Sequence, residues 1–192
     1  MKLLEDRIKE DGRLINSDIL KVDSFLNHQI DVGLMDAMGE EFAKSFSGLG
    51  INKIVTIETS GIPLACAAAR AMGGLPVVFA KKAVPNTMTE EYYSATVRSF
   101  TKNKIYEAIV SKRFLGKDDV CLIIDDFLAS GEAAEGLVKI IEQAGARCVG
   151  VGAAIEKEFQ GGSAKLREKG LKVVSLAVIT SLKDDTIQFK NT

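Results

Sequence analysis

The segment VCLIIDDFLASGEAA, residues 120–134, constrains the fold of this chain more than any other. It reads as the strongest strand in the sequence, and it delivers two adjacent carboxylates, Asp125 and Asp126. A small-residue loop follows at Ala129, Ser130 and Gly131, and then a helix over about 132–144 that ends at Gly145. Other short apolar runs repeat the theme: KIVTIE (53–58), PVVFA (76–80), RCVGVGAAIE (147–156) and VVSLAVI (173–179). An Ala-rich helix to about Met72 follows the first, and a short helix at 163–169 precedes the last. Strands alternating with helices predict an α/β fold whose mainly parallel central sheet is flanked by helices on both faces. TIQF (186–189) reads as a short edge strand, and SATVRSF (94–100) and YEAIV (106–110) as two strands in a long polar stretch.

Residues 2–11 predict a helix ending at Gly12, and Asp31 an N-cap for a helix through about Ser47. Residues 13–30 mix both periodicities and take no assignment. There is no repeat, low-complexity run or linker, so residues 1–192 are expected to form one domain. A chain of this length buries roughly 70% of its unfolded surface. With 25 Lys and Arg against 26 Asp and Glu, the net charge of −1 argues against a nucleic-acid surface. His28 is the one histidine, which excludes multi-His metal sites, and beside the mixed segment it reads as structural. Cys66, Cys121 and Cys148 form no CxxC pair, a spacing that fits neither a disulfide framework nor zinc and suits a reducing cytoplasm. The opening MKLLEDRIKEDG is charged, and no apolar run reaches about 18 residues, so no membrane contact is expected.

In open parallel sheets, ligands bind beyond the carboxyl ends of the strands. There, residues 129–133 combine a helix start, which favours anions, with a Ser130 hydroxyl and a glycine that permits close approach. The two acids cannot bind a phosphate. They suit sugar hydroxyls, a metal ion or a protonated base nitrogen, so the combination points to phosphorylated ribose. Competing phosphate motifs fail: there is no GxxxxGK[ST], and GVGAAI at Gly150 lies inside a strand with Ile155 where Gly or Ala belongs.

Residues 123–134 resemble the phosphoribosyl diphosphate signature of the type I phosphoribosyltransferases, in which four apolar residues precede two acids and a small-Thr/Ser/Asn-Gly loop. LKVDSFLNHQID (20–31), KIVTIETSGIPLA (53–65), PVVFAKK (76–82) and IEKEFQ (155–160) extend the similarity over nearly the whole chain, most closely to bacterial members that use xanthine. Ser130 stands where relatives often have Asn. The resemblance implies the type I fold with an N-terminal hood over about 1–32 and a flexible flap over about 81–113. It also implies transfer of a 5-phosphoribosyl group from 5-phospho-α-D-ribose 1-diphosphate (PRPP) to N9 of xanthine. Ala129, Ser130, Gly131, Glu132 and Ala133 would hold the 5′-phosphate, and Ser60 and Gly61 would lie in the diphosphate loop. Lys81 and Lys82 would reach diphosphate, in the family across a homodimer interface, and Tyr92 and Tyr93 are candidate flap residues. Asp125 and Asp126 would be the catalytic acids, and Leu20, Asn27 and Lys157 would meet the purine. An ammonium only donates hydrogen bonds, so Lys157 suits an oxopurine over adenine. Mg²⁺ would come with the diphosphate, with no separate metal site. The flap carries seven Lys or Arg against three Glu, a net of 7 − 3 = +4. Guanine, hypoxanthine or adenine as acceptor, or a non-catalytic sensor of the ribosyl donor, are the alternatives.

Overall fold

The computed structural model describes residues 1–16, 19–83, 90–99, 104–183 and 186–190. Six strands form the main sheet, and they fall where the apolar runs predict. These are β3 (Lys53–Ile57), β4 (Val77–Ala80), β7 (Val120–Leu128), β8 (Arg147–Lys157), β9 (Lys172–Ser181) and β10 (Gln188–Phe189). Their order is β10-β9-β8-β7-β3-β4, with every pair parallel except the antiparallel edge pair of β10 and β9. The strongest strand by sequence thus occupies the middle of the sheet. Residues 121–124 are wholly buried there, and each such aliphatic side chain contributes about 1.5–3 kcal/mol.

Period-two alternation sends the side chains of β7 to two different cores. Leu122 and Ile124 pack with α1 (Lys2–Asp11), α2 (Val32–Ser45) and α3 (Gly61–Ala71). Cys121 and Ile123 pack with α4 (Glu132–Gln143) and Leu166 of α5 (Gly162–Glu168). Asp31 caps α2 as predicted, its Oδ1 accepting from Leu34 N at 3.0 Å.

The segment without a sequence assignment is a small antiparallel pair, β1 (Arg13–Asn16) with β2 (Ile19–Lys21), followed by a π-helical turn over Asp23–Asn27. The turn exists because Phe25 and Leu26 are almost wholly buried in the α1/α2 core, with the Arg7 guanidinium 5.5 Å over the Phe25 ring. Tertiary packing, not local periodicity, holds this backbone.

The polar stretch folds as a hairpin of β5 (Tyr92–Ser99) and β6 (Lys104–Ser111) in continuous antiparallel register. Parts of the flap region, 84–89 and 100–103, including Lys102, lie outside the described residues. The hairpin has anchors at both edges. Lys81 and Ile109 exchange backbone hydrogen bonds of 2.9 Å, and Gln143 on α4 binds Ser94 through both its donor and its acceptor. No helix among the described residues is long and apolar enough to cross a membrane.

Candidate active site

The carboxyl end of β7 is the centre of the site. The two acids stay close, Asp126 N donating to Asp125 Oδ1 at 3.0 Å, but their carboxyls take different partners. Asp125 turns toward α3 and the flap: a Cβ on Gly61 would lie 2.8 Å from its Oδ1 and 2.3 Å from Thr56 Oγ1. Gly61 is therefore a close-approach glycine, placing the start of α3 against Asp125. Asp126 turns toward the hood, where Asn27 Nδ2 donates to its Oδ2 at 2.7 Å. Asp125 is 8% exposed. Burial, and after it the Asp126 charge, hold the Asp125 carboxyl well above the usual carboxylate range.

Beyond β7, residues 129–131 form the loop predicted for a phosphate. Gly131 is the N-cap of α4 with φ 86°, and no side chain caps the first turn. The backbone N–H groups of that turn are left for a ligand, at the positive end of the helix dipole. The loop is pinned from behind: Gly162 N donates to Ala129 O at 3.0 Å, and a Cβ on Gly162 would lie 2.6 Å from Gly131 N. Ser130, Glu132 and Ala133 line a cavity of about 160 Å³ with Asp125, Val97, Arg98 and Tyr106.

The second loop, at the end of β3, contains a cis peptide between Glu58 and Thr59, followed by Ser60 as the N-cap of α3. Glu58 ties this loop to the flap root, since its Oε1 accepts from Lys82 N at 2.6 Å. The Lys82 ammonium lies 5.4 Å over the Tyr106 ring, and the Lys81 backbone is spent in its bridge to Ile109.

On the hood side, Leu20 is 6% exposed within the α1/α2 core. Lys157, at the end of β8, is 7% exposed with its ammonium 5.6 Å over the Phe127 ring. Its neighbour Glu156 points the other way, to a hydrogen bond from the Ser163 hydroxyl on α5. His28 is exposed just after the π turn. Tyr92 and Tyr93 sit at the open end of the hairpin, Tyr93 beneath the Lys112 ammonium, and neither lines the cavity beside residues 129–134.

The predicted residues thus gather around the carboxyl end of β7. The motif does not reveal Tyr106, Arg98 or the Gly162 support. An alternating hairpin shows which residues share a face, not which helix that face meets, so only topology finds them. Among the described residues no group of three His, Cys, Asp or Glu is placed to hold a metal ion.

An acid pair thus stands at the carboxyl end of a central parallel strand, beside an uncapped helix start, in an α/β fold. Residues 23–187 match the phosphoribosyl transferase domain, and the chain belongs to that family. It is 53% identical over 191 residues to the xanthine phosphoribosyltransferase of Moorella thermoacetica, covering 100% of this chain and 97% of that protein. It is likewise 53% identical to that of Ruminiclostridium cellulolyticum, over 98% of this chain and 99% of the relative. Among solved structures, the adenine phosphoribosyltransferase of Giardia lamblia with 9-deazaadenine superposes with a TM-score of 0.75 at 22% identity. That match covers 91% of this chain and 96% of the other, and it confirms the type I fold.

Proposed function

We infer that this chain transfers the 5-phosphoribosyl group of PRPP to N9 of xanthine, giving xanthosine 5′-monophosphate and diphosphate in purine salvage. One observation carries the reading: the acid pair of β7 links the phosphate-type loop on one side to the Asn27 hood contact on the other. The names of the full-length relatives at 53% identity support xanthine as the acceptor. So does the buried Lys157, whose ammonium donates to an exocyclic oxygen and has nothing to offer the amino group of adenine.

In this reading the 5′-phosphate sits on residues 129–133, with Ser130 adding a hydroxyl. The diphosphate lies toward Ser60, Gly61, Lys81 and Lys82. Leu20, Asn27 and Lys157 hold the purine, and Asp126 faces its N7 side. Asp125 meets the ribose hydroxyls. A buried carboxyl raised by desolvation gains most from a positive neighbour, so Asp125 stabilises charge developing at C1′. The rest of catalysis is positioning, with the purine and C1′ held between the hood and the cradle. Mg²⁺ carried with the donor would supply positive charge to the leaving diphosphate. The acid pair suits such a cation, although it makes no metal site alone.

The same reading takes residues 1–192 as one domain, with a hood over about 1–32 and a flap over about 81–113, acting in the cytoplasm as a homodimer. Exposed Phe79 and Phe114 beside a groove of about 620 Å³ at the edge strand β4 support the dimer. The Asp125→Asn/Asp126→Asn double variant tests the transferase reading. Turnover should fall at least about 100-fold, as the loss of charge stabilisation does elsewhere, and near-normal turnover would refute it.

A further inference from the structure

The cavity beside the phosphate-type loop has a second wall that lies outside the signature. Val97, Arg98 and Tyr106 of the β5–β6 hairpin face residues 129–134 across it. The hairpin is held in place there. Gln143 Nε2 donates to Ser94 O at 2.7 Å, and Val97, 2% exposed, rests over Gly136, where a Cβ would lie 2.5 Å from it.

Two acids and one cation line this cavity among the described residues. Glu132 opens α4 and lines the space, and its Oε2 is buried with no hydrogen-bond partner. Asp125 is a second acid on the same wall, its carboxyl held well above the usual range by burial and its charge partly met by Lys82. A phosphate monoester seated on the helix start adds nearly two more negative charges. The helix dipole supplies the equivalent of only about half a positive charge. Arg98 is the one cationic side chain among the described residues lining the cavity, and it also lines the adjoining hollow on the other flank of Glu132.

We propose that Arg98 and Tyr106 are binding residues for the donor's 5-phosphate, the flap hairpin closing the cradle from the side opposite its backbone loop. The proposal rests on the ribosyl-transfer reading and adds a wall to its phosphate subsite. The Arg98 guanidinium balances Glu132 and the phosphate together, with a planar fork that matches two phosphate oxygens. The Tyr106 hydroxyl is the neutral donor beside it. Burial, followed by the charges of Asp125 and Glu132, pushes that phenol up to about 12, so it keeps its proton throughout the neutral range. The Lys82 ammonium lies over its ring at 5.4 Å.

Ribose 5-phosphate, which carries the 5-phosphate and lacks the diphosphate, is the discriminating probe. The full chain, Arg98→Gln, Arg98→Lys, Tyr106→Phe and Arg98→Gln/Glu132→Gln would be titrated with ribose 5-phosphate and, separately, with inorganic diphosphate. KM values for PRPP and xanthine complete the set. Arg98→Gln should weaken ribose 5-phosphate binding and raise the KM for PRPP about tenfold, the size of one charge-assisted contact. Diphosphate binding and the KM for xanthine should stay within about twofold. Arg98→Lys should retain much of the affinity, and Tyr106→Phe should lose about threefold to tenfold. The double variant should recover to within about threefold, because the carboxylate that needed balancing is gone. An active Arg98→Gln enzyme with unchanged ribose 5-phosphate affinity overturns the proposal and leaves the transferase reading intact. A loss confined to diphosphate also overturns it, by assigning Arg98 to the leaving group. A wild-type chain that neither binds ribose 5-phosphate nor releases diphosphate removes the underlying reading and the proposal together.

Discussion

The Asn27 amide donates to the Asp126 carboxylate at 2.7 Å, joining residues 99 positions apart and closing the hood onto the end of the central strand. The contact ties the group proposed to meet the purine to the acid proposed to face its N7 side. Asn27→Asp would replace a donor with a second carboxylate against Asp126, a like-charge pair that costs more than the lost bond. In steady-state kinetics from pH 5.5 to 8.5, this variant should lose about 100-fold in kcat/KM for xanthine at neutral pH. Protonation at the acid end should restore part of that loss. Asn27→Ala, which only removes the bond, should lose about tenfold with no such pH dependence.

Lys157 is the basis of acceptor choice in this account. A hydrogen bond to a charged donor contributes about 1.5–3 kcal/mol. Lys157→Met keeps much of the buried volume and deletes the ammonium. The expected result is a loss of at least tenfold in kcat/KM for xanthine, with a fall of at least tenfold in its ratio to adenine. Initial rates with the two bases give both numbers.

Two glycines hold backbone against the site, and both should reject a methyl group. In Gly162→Ala the Cβ would lie 2.3 Å from Ala129 O, and in Gly61→Ala 2.3 Å from Thr56 Oγ1. Overpacking of this kind costs about 1–3 kcal/mol. At roughly 2–4 °C per kcal/mol for a chain of this size, calorimetry should find Tm lowered by about 2–12 °C. Gly162→Ala should also raise the KM for PRPP, since its N–H pins the loop at Ala129.

Strand existence was legible along this chain because β-branched runs such as KIVTIE and VCLIIDD are long enough to show a period. The acid pair and the small-residue loop were legible for the same reason: chemistry and backbone requirement coincide in one short segment. The hood was not. Its π turn is held by Phe25 and Leu26 reaching a core built from α1 and α2, and no local pattern encodes that reach. Nor was the seating of the flap on α4. Gln143 and Gly136 read as an ordinary polar residue and a weak helix former until Ser94 and Val97 are placed against them. The different partners of Asp125 and Asp126, Gly61 and the flap for one and Asn27 for the other, come only from the topology.

Titration offers a check on Tyr106 that does not depend on activity. Its phenol is raised from 10.0 to about 12, first by burial and then by Asp125 and Glu132. A raised folded-state value means that the contribution to stability is fully present below about pH 10. It is lost as pH climbs toward about 12, where the unfolded chain has already released its proton. Absorbance at 295 nm should show a last phenol ionising near 12, and Tyr106→Phe should remove that step.

The three thiols should behave unequally. Burial raises Cys121 to about 12 and Cys148 to about 11, whereas Cys66 is exposed on α3. Thiolate is the reactive form, so a thiol reagent at pH 8 should label one cysteine rapidly in the native chain and all three in denaturant. Rapid native labelling of two or three would contradict the packing of β7 and β8.

Diphosphate release reports the transfer reaction itself. The chain, PRPP and Mg²⁺ would be mixed with xanthine, guanine, hypoxanthine and adenine in turn. Xanthine should be the best acceptor, guanine and hypoxanthine weaker, and adenine the poorest. Adenine as the best acceptor, or no diphosphate with any base, would contradict it.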